Sequence, residues 1–326
     1  MLPSLLLACA KTPPPPPPPP VVAGDVELLE SGPPAARVST KAADLVVFYS
    51  GEHKGSLETC GCPNRPRGSL TRMQTYIDAS RAANPGVPDL VLNGGYWLDD
   101  TGDFNGGLRG DVAVTNRWLV AGFNAVGYDA ANVTAHELPG LGLMDEIPPW
   151  AVSANVVSNG DRQLSRGLVI ERGGLRIGVT GITALPSVAD SSGLFTVEDP
   201  YAPGLATLQE LAPQVDVLVL LAYRAPEVAK ALAEAVPELD LVIDTNEHRS
   251  LYEPLVVGNA LWVRSHYETL RLGELRLKIE DQTAQLVIDR KIDMDPELPD
   301  APELAELMVA ARAEIEAVQR ATFEDP

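Results

Sequence analysis

The segment FYSGEHKGSLETCGCPNRPRGSLTRM, Phe48 to Met73, decides how the rest of the chain is read. Its first residues finish an apolar run, DLVVFYS (Asp44–Ser50), whose β-branched residues bounded by polar ones predict a buried strand. The loop Gly51–Arg67 then crowds a histidine, two cysteines, several glycines and basic residues together. After it, GSLTRMQTYIDASRAAN sets Leu70, Met73, Tyr76, Ile77 and Ala83 at helical spacing and predicts an amphipathic helix. In open α/β sheets ligands bind in loops of this kind, at the C-terminal ends of strands.

The same alternation continues downstream. PDLVLNGG reads as a second buried strand, and DVAVTNRWLVAGFNAVG as a helix capped by Asp111. GYDAANV and WAVSANVV are strand-like, and LVIERGGLRIGVTGI predicts a hairpin turning at Gly173-Gly174. GLATLQELAPQ and APEVAKALAEAVPE read as helices, each followed by a strand, VDVLVLLAY and LDLVID. From EPLVVGNALWVRSHY to RLGELRLKIEDQTAQLVIDRKI the pattern is all-β, with turns at Gly258-Asn259 and Glu280-Asp281. APELAELMVAARAEIEAVQRA closes as a long amphipathic helix, with Leu304, Leu307, Met308, Ala311, Ile315 and Val318 on a face expected to pack back. Strands alternating with helices in both halves imply an α/β sandwich with mixed sheets.

The loops FYSGEHKGSLETCGC, LVLNGGYWL, VGYDAANVTAHELPG, AVSANVV, VLLAYRAP and LVIDTNEHR follow one another as do those of the calcineurin-like metallophosphoesterase superfamily, which this sequence resembles. It looks most like the 5'-nucleotidase branch, over roughly Asp44 to Ile292. The E-x-C-G-C loop followed by RGSLTRM also resembles a bacterial extracytoplasmic subgroup. The resemblance implies a four-layer α/β/β/α sandwich with mixed sheets and two metal ions at the strand ends.

Carried over by position, the family's site is degenerate here. Where D-x-H is expected the chain has Gly51-Glu52-His53, so Gly51 replaces an aspartate and His53 remains. Where G-D should supply the bridging aspartate, Gly95-Tyr96 stands. G-N-H-E becomes Thr134-Ala135-His136-Glu137: Ala135 replaces an asparagine ligand, and His136 matches the catalytic histidine. The aspartate that would orient His136 falls at Pro139, and Tyr223 stands where a histidine ligand is expected. G-H-x-H becomes Thr245-Asn246-Glu247-His248, in which Asn246 replaces one ligand and His248 keeps another. Two of seven ligand positions survive, His53 and His248, both implied for the same metal. A two-metal site needs ions about 3.5–4 Å apart held in common, and the bridging carboxylate is missing. Tyr96 and Tyr223 are expected to plug the vacated cavity.

Cofactor expectations are therefore none, or a single divalent metal, Zn, Mn or Fe, on converging imidazoles of His53, His136 and His248 with an open fourth position. Glu52, Glu137, Asp244 and Glu247 lie beside them in sequence. The plainer reading makes these histidines packing or hydrogen-bonding residues. Cys60 and Cys62 admit a small strained disulfide, a redox-active dithiol, a soft-metal ligand pair or a loop staple. Arg65 and Arg67 either lower a thiol pKa there or are simply solvated. The sequon Asn132-Val133-Thr134 is discounted because it falls in a site loop.

The N-terminal MLPSLLLACA resembles a bacterial lipobox in which Cys9 is lipidated. The eight residues before Cys9 carry no Lys or Arg, so the true start is expected upstream. Eight consecutive prolines follow, and in polyproline II form they reach roughly 25 Å. The expected organisation is a lipoprotein signal segment over 1–9, a Pro-rich linker over 10–41, a metallophosphoesterase-like domain over 42–293 and a C-terminal amphipathic helix over 294–326. The long nucleotidases' separate substrate-binding domain is not expected after that helix. The chain has 326 residues, 45% hydrophobic, with a formal net charge of -20, which disfavours nucleic acid and anionic lipid surfaces. The expected partners are a membrane, through lipidated Cys9, and a protein or small molecule of unknown identity. The expected location is the extracytoplasmic side of a bacterial envelope. Three functions stand open: a catalytically impaired binding or scaffold module, a phosphoric ester hydrolase with one residual metal and His136 as general acid, and a thiol-redox or sulfur-pathway protein using Cys60 and Cys62.

Overall fold

The computed structural model describes residues 25–29, 31–60, 63–102, 107–186, 193–245, 253–266, 268–280 and 282–324. The chain opens with β1 (Asp25–Leu29) and the short α1 (Pro34–Arg37), then β2 (Leu45–Ser50), α2 (Leu70–Ala83), β3 (Asp89–Asn93), α3 (Gly110–Val126), β4 (Ala130–Asn132), α4 (Leu138–Leu143), β5 (Ala151–Val152) and β6 (Val156–Ser158). The second half runs β7 (Gly167–Arg172), β8 (Leu175–Thr183), β9 (Phe195–Val197), α5 (Tyr201–Leu211), β10 (Val217–Tyr223), α6 (Pro226–Ala235) and β11 (Leu241–Thr245). It ends with β12 (Leu255–Val257), β13 (Ala260–Arg264), β14 (Arg271–Glu280), β15 (Thr283–Asp293) and α7 (Pro302–Glu324). Among the described residues no helix is long and apolar enough to cross a membrane.

A seven-stranded sheet has the order β1-β15-β14-β2-β3-β4-β5, and a six-stranded sheet the order β12-β13-β11-β10-β8-β7. Helical crossovers make β2, β3 and β4 parallel, and β8, β10 and β11 parallel. Hairpins add the antiparallel members: β7 on β8, β12 on β13, and β15 on β14, which is itself antiparallel to β2.

β2 is buried along its whole length, which is why its sequence is continuously apolar rather than alternating. Leu45, Val47 and Tyr49 face the other sheet, where they join Leu90, Leu92, Leu275 and Leu277 against Val179, Val219, Leu221, Ile243 and Val263. Val46 and Phe48 point the opposite way, into a core shared with Leu70, Met73 and Ile77 of α2, Leu119 and Phe123 of α3, and Met308 of α7. On the far side Leu218, Leu220 and Ala222 of β10 meet α5 and α6 through Leu208, Leu211, Ala229 and Leu232. The layers are helix, sheet, sheet, helix. Asn132 joins the sheets at their C-terminal edge: its carboxamide donates to the Ile182 carbonyl (2.9 Å) and the Gly94 carbonyl (3.2 Å). Asn132 is completely buried, so the sequon's side chain serves as an internal bridge.

Two details differ from the sequence reading. The segment expected to be linker as far as residue 41 is structured from Asp25: β1 pairs in parallel with β15, and α1 carries a buried arginine. The cause is non-local. Arg37 binds both oxygens of Asp295 at 2.7 and 2.8 Å and the Asp293 carbonyl at 2.7 Å, both pair members being sealed from solvent. A polar stretch with no periodicity gives no sign of a partner more than 250 residues away. In α3, Arg109 occupies the N-cap, while Asp111 lies in the first turn and pairs with Arg109 at 2.6 Å. The face of α7 expected to pack does so through Leu304, Met308 and Ala311, with Leu307 and Ile315 partly buried.

Removing one member of a buried ion pair leaves the other uncompensated, at about 3–5 kcal/mol. Arg37→Ala is therefore expected to cost about 3 kcal/mol, near the low end because Arg65 also reaches Asp295 at 3.1 Å. Urea unfolding of both proteins, read at the midpoint with unchanged slope, measures it.

Candidate functional site

The loops after β2, β3, β4, β10 and β13 meet at the C-terminal edge of both sheets. Backbone bonds tie them together: Glu52 N–H to the Gly95 carbonyl (2.8 Å), Lys54 N–H to the Tyr96 carbonyl (3.0 Å) and Glu268 N–H to the Glu52 carbonyl (2.8 Å). Glu52, Lys54, Tyr96, Arg224 and Glu268 all hold left-handed backbone conformations, with φ between 48° and 56°. Such conformations cost of order 1–3 kcal/mol each in non-glycine residues and gather where a structure holds groups for a purpose.

The centre of the site is a three-ring cluster. Tyr96 stacks on His136 with ring centres 3.7 Å apart and planes 16° from parallel. Tyr223 meets His136 edge to face at 5.6 Å and Tyr96 likewise at 6.2 Å. Asp100 ties the stack: it accepts from the Tyr96 hydroxyl at 2.9 Å and lies 2.7 Å from His136 Nδ1. Burial pushes the Asp100 carboxyl up, but the hydrogen bonds from His136 and Tyr96 outweigh it and hold it below its ordinary value. An ionised carboxylate only accepts, so His136 Nδ1 is the donor in this contact. Burial, reinforced by the charge of Glu52, raises the Tyr223 phenol, which stays protonated. That hydroxyl is buried and has no hydrogen-bond partner among the described residues.

Glu137 lies beneath, sealed from solvent. It accepts from the N–H groups of Trp97 (2.7 Å) and Leu98 (3.3 Å) on one oxygen and from Thr134 N–H and hydroxyl (both 2.7 Å) on the other. It clamps the loop after β3 to the loop after β4. Burial raises its carboxyl pKa despite those bonds. Glu52 lies 4.0 Å from both Lys54 and Arg224.

The sequence-predicted site residues are only partly brought together. His136, Tyr96 and Tyr223 converge. His53 faces elsewhere, into an aromatic cage of Phe123 (5.1 Å) and Tyr128 (6.1 Å), with Nε2 3.1 Å from the Ser50 hydroxyl and Nδ1 unpartnered. Burial lowers its pKa to about 3. Gly51 has no room for a larger residue: a Cβ there would lie 2.5 Å from the Ser265 hydroxyl and 2.7 Å from Thr245 Cγ2. A Cβ on Gly94 would lie 1.8 Å from Thr245 Oγ1. Thr245 and Ser265, hydrogen-bonded at 2.9 Å, fill the space between the strand ends. Ala135 is half-buried and Pro139 exposed, and the orienting carboxylate comes from Asp100 instead. Asp244 is buried and accepts from Arg264 at 2.8 Å. Cys60 Sγ accepts from Arg67 N–H at 3.3 Å. Arg65 and Arg67 bind Asp295 and Asp293. Cys9, Cys62, Asn246, Glu247 and His248 lie outside the described residues.

Among the described residues no group of three or more His, Cys, Asp or Glu side chains could hold a metal ion. The described donors do not fit a two-metal centre. The bridging position carries Tyr96, the aspartate position is packed solid, and His53 is turned into the core.

Comparison with known proteins bears on the fold. No family model matches the sequence. A stretch of 115 residues, 35% of this chain, is 30% identical to the uncharacterized metallophosphoesterase YunD of Bacillus subtilis (strain 168), covering 22% of that protein. The Thermus thermophilus sulfate thiohydrolase SoxB superposes with a TM-score of 0.66 at 17% identity, over 85% of this chain and 61% of its own. A 5'-nucleotidase precursor from Thermus thermophilus follows at 0.64 and 19%, over 84% and 59%. The calcineurin-like phosphoesterase YfkN of Bacillus subtilis gives 0.61 at 15% identity, over 84% of this chain and 98% of that structure. The chain has the metallophosphoesterase-type fold of these structures. At these identities the superpositions carry the fold alone. This metallophosphoesterase-fold chain spans about a fifth of YunD and about three-fifths of the SoxB and nucleotidase structures.

What sequence reasoning missed was Asp100 and the Thr245–Ser265 filling. The acidic pair Asp99-Asp100, shortly after the second strand, was the available signal.

The buried His53 has a consequence for pH. Its folded pKa is about 3 against an ordinary 6.5, so below 6.5 only the unfolded chain takes up the proton. Its contribution is complete above 6.5 and is lost as pH falls towards 3, by up to about 1.4 kcal/mol per pH unit. His53→Phe is expected to flatten the loss of stability between pH 6.5 and 4, measured as urea midpoints across that range.

Proposed function

We propose that this chain is a lipid-anchored, extracytoplasmic metallophosphoesterase-fold protein whose two-metal centre is degenerate, and that it serves as a binding or scaffold module. The observation that carries the reading is the filled space at Gly51 and Gly94. Thr245 and Ser265 lie where a carboxylate at Gly51 would project, 2.5–2.7 Å from a Cβ placed there, and Thr245 crowds the neighbouring Gly94 as well. This packing supports a centre that has lost its aspartate ligand. The tyrosines at positions 96 and 223 support the same reading, because their rings and His136 occupy the strand-end space as one cluster tied by Asp100.

Anchoring rests on the sequence alone. Leu6-Leu7-Ala8-Cys9 offers Cys9 as the acylated residue, and the eight prolines after it would hold the domain off a membrane as a stiff spacer. A single acyl chain binds only marginally, so more than one chain would be needed for stable attachment. No metal cofactor is part of this reading. The partner is a protein or small molecule that meets the strand-end rim.

Two measurements test the proposal. Elemental analysis of the purified chain after dialysis is expected to find zinc, manganese and iron all well below one equivalent. Stoichiometric metal that disappears on replacing His248 would overturn the degenerate-site reading in favour of a one-metal hydrolase. Restoring the family residue, Gly51→Asp, is expected to cost about 1–3 kcal/mol through overpacking without conferring metal binding. Calorimetric titration with Mn²⁺ of the folded variant checks the second half.

A further inference from the structure

We propose that the outer edge of β7 is a docking site for an extended segment of another polypeptide, which joins the six-stranded sheet as a further strand. The site lies beside the N-terminal ends of β4, β5 and β8, away from the strand-end rim. It rests on strand topology and not on the state of the metal centre.

Three observations carry it. The first is a set of outward backbone groups. β7 ends the order β12-β13-β11-β10-β8-β7, and among the described residues it pairs with β8 alone. Gly173 and Gly174, with φ of 56° and 86°, form a two-residue turn that closes on Arg172 and Leu175 as a hydrogen-bonded pair. Bonding alternates along an antiparallel ladder, so Ile170 and Leu168 also spend their backbone groups on β8. Val169 and Glu171 turn theirs outward. The Glu171 carbonyl accepts from the Arg172 guanidinium at 3.0 Å, as an outward group can. The Val169 N–H and carbonyl and the Glu171 N–H are left for an incoming strand.

The second is the shape beside that edge. A cavity of about 610 Å³ is lined by Leu168 and Ile170 of β7 and by Tyr128, Pro149 and Trp150, at the starts of β4 and β5. Leu168 and Ile170 are partly buried at the margin of the layer between the sheets. Side chains of a strand alternate between faces. Every second side chain of an added strand would therefore enter this cleft and extend that layer.

The third is that the edge is unguarded. Exposed edges are commonly blunted by lysine, proline or a bulge. From Gly167 to Ile170 β7 has none of these: its register with β8 is unbroken, and Val169 in the middle is 41% exposed.

The same features choose the occupant. A ladder of N–H and C=O groups recognises an extended peptide. Its residues beside Leu168 and Ile170 face the cleft and should be apolar. Arg172 is committed to Asp129, so the exposed Glu171 carboxylate is left to attract a Lys or Arg across the strands. The chain's own proline run lacks the N–H groups that the ladder needs. A second copy is disfavoured by repulsion between two chains of net charge -20.

The test uses the full chain, ¹⁵N-labelled, with the peptide acetyl-Lys-Ile-Thr-Val-Thr-Glu-amide. Added antiparallel with its Lys beside Glu171, this peptide turns Ile and Val into the cleft and sets its first Thr opposite Val169. Amide hydrogen exchange is read by NMR with and without saturating peptide. The expected result is exchange about tenfold slower at Val169 and Glu171, with Leu168 and Ile170, already bonded to β8, unchanged. Methylating the amide nitrogen of the first Thr removes the donor to the Val169 carbonyl and should abolish the effect. Glu171→Lys, at an exposed position, should weaken binding roughly threefold. No slowing at the solubility limit of the peptide, or slowing that survives N-methylation, would overturn the proposal. So would protection of Val169 that arises in the chain alone and grows with its concentration, which would make a second copy the occupant. Metal content is independent of all these outcomes, so failure here and failure of the degenerate-site reading are separately visible.

Discussion

The dry aliphatic layer between the two sheets is the constraint on which everything else depends. β2, β3 and β14 press Leu45, Val47, Leu90, Leu92, Leu275 and Leu277 against β8, β10, β11 and β13, and all six of these side chains are sealed from solvent. Parallel strands need crossovers, and the crossovers here are helices that cover the outer faces. The pleat then fixes the register: a one-residue slip of β2 would turn Leu45, Val47 and Tyr49 away from the other sheet and bring Val46 and Phe48 into their place. Because the parallel strands of both sheets end along one edge, five loops arrive there together. Asn132 fixes that edge by donating across it to Ile182 and Gly94.

The same close approach explains what happened to the site. Sheets this near leave only a small space between strand ends, and the space is used once. Thr245 and Ser265 project into it from the other sheet, and a Cβ at Gly51 or Gly94 would run into them. His53 lies away from this space. It faces the aromatic core, with Nε2 3.1 Å from the Ser50 hydroxyl and 3.4 Å from the Tyr128 hydroxyl, while Nδ1 has no partner among the described residues. Its lowered pKa is the electrostatic mark of that burial.

Charge pairing does at the rim what apolar packing does inside. In a chain of net charge -20 the basic residues are outnumbered, and several arginines are committed to buried aspartates. Asp293 and Asp295, at and just past the end of β15, gather Arg37, Arg65, Arg67 and Arg271. One cluster thereby holds α1, the loop carrying Cys60 and the start of β14 against the end of β15 in the seven-stranded sheet. The left-handed residues Glu52, Lys54, Tyr96 and Arg224 are held in place by the same over-determination. Tyr96 shows what such a conformation achieves: it turns its ring onto His136 and its hydroxyl onto Asp100.

The sequence by itself determined the layers. Continuous apolar runs such as Leu45–Ser50 and Val217–Tyr223 can only be strands buried on both faces, and helical spacing at Leu70, Met73 and Ile77 needs a face to cover. Those periods are local, so they are written in adjacent residues. Gly51, Tyr96, Ala135 and Tyr223 could be singled out for the same reason, each standing at a countable distance from a strand end. Only the tertiary structure decided where the side chains went. His53 and His136 are alike in sequence, yet one lies in an aromatic core and the other on Asp100. β1 and α1 are held by Arg37 and Asp295, a contact across most of the chain that no window of sequence contains. Thr245 and Ser265 fill the space at Gly51 because two sheets meet there. Direction and contact between distant residues depend on packing, and packing exists only once the layers have closed.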